Sequence, residues 1–157
     1  MSNNDPIAFF LTWVTYGTWL PGDDRTWVHH ANGWQLPDFE LRIDAQYRMR
    51  DDAVTLTHAQ RKIVEQQIDE TCQFRKWSLH AVNCRTNHVH TVVTAKETHP
   101  KKVRRDLKAW ATRALRKLEP KREDWFAERG NIGWLYDEVS LGGAIEYTLH
   151  GQGSPKR

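Results

Sequence analysis

Residues 87–90 read Asn87-His88-Val89-His90. On an extended strand, side chains two apart share a face, so the two imidazoles stand side by side while Val89 points to the opposite face. Two neighbouring neutral imidazoles suit a divalent ion. Taken alone, the pattern fits equally well two unrelated histidines on the exposed face of a hairpin. The apolar flank formed by Val89 and Thr91-Val92-Val93 favours a site on a well-packed sheet. A second concentration of chemistry lies between Lys101 and Lys117. It holds Lys101, Lys102, Arg104, Arg105, Lys108, Arg113, Arg116 and Lys117 against the single acid Asp106. Like charges crowded on one helix are mildly destabilising, so such a face points to a polyanionic partner. Phosphate contacts there would give affinity and register but little sequence information.

The elements that must position these residues follow from periodicity. Ile7 to Tyr16 is apolar, aromatic and β-branched, as a buried strand should be, and Gly17 and Pro21-Gly22 stop it. Thr57 reads as the N-cap of a helix running to about Lys76, with Ile63, Val64, Ile68 and Cys72 at helical spacing. Ser78–Cys84 and His88–Ala95 read as two strands joined by a turn at 85–87, most simply a hairpin. A second helix is expected from about Pro100 to Leu118. Its apolar stripe is Val103, Leu107, Trp110, Ala111, Ala114, Leu115 and Leu118, and Pro suits its first turn. A short strand near Gly133–Tyr136 and a third helix from about Ser140 to His150 follow. Gly142-Gly143, at the entry to that helix, reads as a hinge or a tight turn, and Gly151 as its C′ residue. This order predicts an α+β, ferredoxin-like antiparallel sheet with helices packed on one face.

The chain reads as one domain over residues 1–157, with an irregular but folded excursion at about 17–52 that carries Trp19, Trp27, Trp34 and Phe39. Hydrophobic residues are 39% and charged residues 27%, which excludes a disordered or membrane-embedded chain. No signal peptide is read at the N-terminus. Two cysteines cannot build a disulfide framework, which fits a reduced, cytoplasmic setting. A net charge of +3 is only mildly basic. The eight tryptophans belong mostly to the core, with some free to stack on bases.

Asn87-His88-Val89-His90 followed by Thr91-Val92-Val93 resembles the histidine–hydrophobic–histidine segment of single-tyrosine HUH transposases, which include the REP-associated tyrosine transposases and related small insertion-sequence enzymes. Arg85-Thr86 stands where family members often have Met-Pro. The resemblance extends over most of the chain: the first strand, the helix before the hairpin, the basic helix after it and a last helix bearing tyrosine. It implies an HUH endonuclease fold and a metal-dependent enzyme whose histidine pair, His88 and His90, holds Mg²⁺ or Mn²⁺. It places the nucleophile at Tyr147, within Ala144-Ile145-Glu146-Tyr147. A third metal ligand in this family is often a polar residue one helical turn after the tyrosine. Here that position is Gly151, and the glutamine is Gln152. At ~100° per residue Gln152 lies ~140° from Tyr147 on a continuous helix, against ~60° for His150. Gln152 is therefore the expected ligand only if Gly151 breaks the helix, and His150 is its rival.

The implied reaction is cleavage and rejoining of single-stranded, or hairpin-containing, DNA in a nucleoid-associated, cytoplasmic setting. A phenol is a weak nucleophile at neutral pH, and a divalent ion would polarise the phosphate and offset developing charge. Attack by Tyr147 would give a 5′-phosphotyrosine and a free 3′-hydroxyl. Reversal by another 3′-hydroxyl would rejoin the strand. DNA contacts are expected from Lys101, Lys102, Arg104, Arg105, Lys108 and Arg113. Relatives include both homodimers and monomers, and no membrane partner is expected. Two other readings stand beside this one. The first is a non-catalytic nucleic-acid binder on the same sheet. The second is a structural zinc site using Cys84 with His88 and His90, three clustered ligands where four are usual.

Overall fold

A computed structural model describes residues 5–17, 27–29, 33–36, 38–47, 49 and 52–151. Its elements in chain order are β1 (Ala8–Val14), β2 (Trp27–His29), β3 (Gly33–Gln35), α1 (Phe39–Tyr47), α2 (His58–Arg75), β4 (Ser78–Cys84), β5 (His88–Thr94), α3 (Pro100–Leu118), β6 (Asn131–Leu135) and α4 (Glu138–His150). Four strands form one antiparallel sheet in the order β4-β5-β1-β6, with the expected β4–β5 hairpin. The stretch expected to be irregular contains more order than its composition suggests. Its described part holds the β2–β3 pair and the nine-residue helix α1. Trp19 lies outside the described residues.

Local chemistry explains where the helices begin. Thr57 closes a capping box with Gln60: its hydroxyl accepts from the Gln60 amide while the Gln60 side chain accepts from the Thr57 amide. The helix ends at Lys76 in the left-handed region (φ 61°). Pro100 opens α3 where its missing N–H costs nothing, behind His99, whose Nδ1 accepts from the Lys101 amide.

The sheet separates two packing layers. Strand alternation sends Phe9, Leu11, Trp13, Val89 and Val93 to the face covered by α2 and α3, where they meet Val64, Ile68, Leu107 and Leu115 in the main core. Trp13 and Trp125 are both buried there, whereas Trp134 and, on the expected α3 stripe, Trp110 and Leu118 stay exposed, because the sheet and α2 cover a narrower face of α3 than its apolar residues span. The other face was expected to stay open. Instead it carries α4, which packs on β4 and β5 through Leu141, Ala144 and Ile145 over Ala8, Phe10, Ala81 and Val92. The α+β sandwich is therefore as expected, with its last helix on the second face. That helix begins earlier than its pattern suggests, at Glu138. Asp137 caps it by accepting from the Ser140 amide at 2.7 Å, a bond that also holds the Asp137 carboxyl below its ordinary pKa. Gly142 and Gly143 thus lie inside the helix rather than ahead of it. Gly151 is its C-cap at φ −90°, not a left-handed C′ residue.

Candidate active site

The second face brings together three residues that the sequence keeps far apart. His88 and His90 project from β5 with ring centroids 4.8 Å apart. Val89 between them is fully buried on the opposite side. Tyr147, in the last turn of α4, lays its ring over His90 at 5.7 Å with an 18° interplanar angle. Phe10 of β1 stands edge-on to both rings, 5.5 Å from His90 and 6.1 Å from Tyr147. The Tyr147 side chain remains 47% exposed, so the phenol is open to a large substrate.

Electrostatics keep one imidazole neutral. Burial, then the nearby charges of His88 and Arg85, push the His90 pKa down to about 4. Its Nδ1 is buried and has no hydrogen-bond partner among the described residues. A buried polar atom of this kind normally finds one. His88 Nδ1 lies 2.8 Å from Asn87 Oδ1. With the amide oxygen accepting, the proton sits on Nδ1 and the lone pair on Nε2, the usual arrangement behind a metal-ligating histidine. The pair therefore fits a divalent cation as two nitrogen donors. His150 ends α4 exposed, and no group of three or more His, Cys, Asp or Glu able to hold a metal occurs among the described residues. Gln152 lies outside them. Cys84 cannot complete a zinc site with the histidines. It packs into the main core, and burial and then Glu65, against an opposing pull from Arg61, push its thiol up to about 12.

Asn83 is a site residue that sequence reasoning missed. It stands opposite His90 in the β4–β5 register, and its Nδ2 donates to the Thr148 carbonyl at 2.9 Å. Thr148 belongs to the last turn of a helix, where carbonyls lack intrahelical partners. The strand carrying Asn83 thus caps the turn that carries Tyr147. Gly151 matters for space. A Cβ there would lie 2.8 Å from the Tyr147 Cα and 2.9 Å from its ring Cδ2, closer than side chains tolerate. Only the pairing register could have revealed Asn83. Alternation along β1 was the available signal for Phe10.

The basic helix divides into engaged and open cations. Lys108 donates to the carbonyls of Ala127 and Arg129, and burial and then Arg104 push its pKa down to about 8. Arg104 donates to the Gly130 carbonyl at 2.9 Å. These two hold the segment leading into β6. Lys102 pairs with Asp106 at 2.8 Å, and Arg113 lies over the Trp110 ring at 5.2 Å. Lys101 and Arg105 are exposed.

The structure resembles that of a REP-associated tyrosine transposase solved bound to a REP hairpin, with a TM-score of 0.53 at 11% identity over 94% of this chain and 67% of that one. This likeness shows the fold. A crystal structure of a protein assigned as a transposase from Deinococcus radiodurans R1 aligns with a TM-score of 0.49 at 14% identity, over 94% of this chain and 91% of that one. No curated protein matches the chain. The model of the IS200-like transposase family matches residues 45–134, more than half of the 157 residues and a span that includes both histidines. The chain belongs to the IS200-like transposase family.

Proposed function

We propose that this protein cuts and rejoins single-stranded DNA through a covalent bond between Tyr147 and a 5′-phosphate. The observation that carries this reading is the Tyr147 ring stacked on His90, itself paired with His88, within one chain. A phosphate seated over the imidazole pair would meet the phenol directly. Bond formation between the phenolic oxygen and phosphorus breaks the bond to the 3′-oxygen, which leaves as a hydroxyl after taking up a proton. Rejoining is the reverse, with a different 3′-hydroxyl as attacking group. One phosphodiester is exchanged for another, so no external energy source enters.

Each residue has a distinct part. His88 and His90 would hold a divalent cation, Mg²⁺ or Mn²⁺, with Gln152 as the expected third ligand. Such a cation, when bound, polarises the phosphate and offsets its negative charge. Asn87 fixes the His88 tautomer, and Phe10 keeps the His90 and Tyr147 rings in place. Asn83 holds the turn that presents the phenol. Cations of α3 supply phosphate contacts. The family likeness supports a DNA hairpin as part of the substrate, because the REP-associated relative was solved with one.

The reading is tested by incubating the protein with labelled single-stranded DNA and Mn²⁺ and resolving the products on a denaturing gel. A covalent protein–DNA band is expected, and Tyr147→Phe should abolish it while leaving DNA affinity and the thermal midpoint unchanged. DNA binding with no such band under any metal would favour a non-catalytic binder. A band that survives Tyr147→Phe would mean another nucleophile.

A further inference from the structure

A concavity of about 480 Å³ lies against the first turns of α3. Five cationic side chains line it with one carboxylate, Glu128. Two of the five, Arg104 and Lys108, are tied to backbone carbonyls of residues 127–130. Lys101 and Arg105 are exposed at its rim, with no side-chain partner among the described residues. His99 forms part of the wall. Its Nδ1 already accepts from the Lys101 amide, so in the neutral ring the N–H sits on Nε2 and can donate to an anion.

An aromatic surface adjoins these cations. Trp134 of β6 meets the His99 ring edge-on at 5.7 Å and the Phe9 ring at 5.4 Å, yet stays 43% exposed. An open indole beside a cationic groove is the arrangement that holds unpaired nucleic acid, with a base on the ring and phosphates on the cations. A duplex, whose bases are already stacked, gains only the phosphate contacts.

The location decides what this surface serves. Trp134 is paired with Phe9, which points into the α2–α3 layer, whereas His90 and Tyr147 lie on the α4 face. The two surfaces are therefore on opposite sides of the sheet. They are also close to one edge. Thr12 of β1 pairs with His90 on one side and with Asn131 of β6 on the other. Only two strand spacings, roughly 10 Å, separate His90 from the outer strand.

Resting on the strand-transfer reading above, we infer that single-stranded DNA flanking the cleaved phosphate rounds the β6 edge and is held on the back of the sheet. There one base stacks on Trp134, and the backbone contacts Lys101, Arg105 and His99. The substrate is thus gripped on both faces, with chemistry on one and an anchoring segment on the other.

The experiment compares binding of the full-length protein to a cleavable strand carrying single-stranded flanks and to the same strand trimmed of one flank or the other. The variants are Lys101→Gln/Arg105→Gln and, separately, Trp134→Ala. For the flanked strand, the double variant should bind at least tenfold more weakly. Its slope of log affinity against log salt should shrink by roughly 1.4, about 0.7 for each lost phosphate contact. Trimming the anchored flank should erase the difference between wild type and variant, and a duplex in its place should restore only the salt-dependent part. Trp134→Ala should weaken the flanked strand with little change in salt slope. The inference is overturned if the double variant binds the flanked strand like wild type, or loses equally on flanked and trimmed strands. Absence of any adduct with wild type instead counts against the strand-transfer reading and is read independently on the gel.

Discussion

The two faces of the sheet are built to different standards. Under α2 and α3 lie Leu11, Trp13, Val64, Ile68, Leu107 and Leu115, all essentially inaccessible to solvent. Under α4, among the described residues, the buried apolar ones are Ala8, Ala81 and Val92, flanked by partly buried Phe10, Leu135, Leu141, Ala144 and Ile145. A large apolar side chain taken out of water contributes about 1.5–3 kcal/mol, and an alanine far less. Stability therefore resides on one face and the candidate chemistry on the other. Elements that move in function come from the less stable part of a protein, and α4, which carries Tyr147, is held by thin packing, an aromatic stack and the Asn83 bond. Both faces share β1 and β5, so the well-packed layer still fixes where the histidines stand.

The sharpest way to break this contrast is to truncate one leucine on each face. Leu107→Ala should cost about 2–5 kcal/mol in a urea titration, because it leaves a cavity in the main core. Leu141→Ala, on the thin face, should cost about 1 kcal/mol. Equal losses would mean that the two layers are not different in kind.

Asn83→Ala comes next in size. It leaves the Thr148 carbonyl without its side-chain donor, a local cost of roughly 1–3 kcal/mol. Hydrogen exchange should quicken in α4 while α2 and α3 keep their protection, and adduct formation should slow. Uniform quickening through all three helices would show that α4 is not a separately opening element.

The smallest effect is expected at the glycine pair. A Cβ added at Gly142 or Gly143 meets nothing within 4 Å. Neither glycine is there to admit a close neighbour, and each weakens the helix interior. Gly142→Ala and Gly143→Ala should each stabilise α4 by roughly 0.5–1 kcal/mol. Slower amide exchange confined to that helix would sharpen the contrast, and a loss of stability would contradict it.

Features fixed by neighbouring residues were the legible ones. The Thr57 N-cap, Pro100 at the start of α3, the buried part of the α3 stripe and the alternation of β5 each act over a few positions. The side of the sheet that α4 would take was not legible, because its pattern around Leu141, Ala144 and Ile145 suits any apolar surface. Asn83 was invisible for a related reason: its value comes from lying opposite His90, a relation that exists only after β4 and β5 pair. The cation run of α3 was plain to see, but not its division. Whether a lysine waits for phosphate or holds a loop depends on what residues 127–130 place beside it, and Lys108 and Arg104 turned out to face their carbonyls. The last helix was expected from about Ser140, because Asp137 was not read as a cap; its side chain starts the helix at Glu138.

The final rung of the α4 ladder runs from the Gly151 amide to the carbonyl of Tyr147 itself, at 3.0 Å. Losing that single bond would free the chain from Gly151 onward and leave the Tyr147 carbonyl without its last donor, while every earlier rung stays in place. The fold has put its phenol where a helix frays first. Any side chain at 151 would wedge against the ring, so glycine at this place answers to the aromatic four residues earlier rather than to the turn of the backbone.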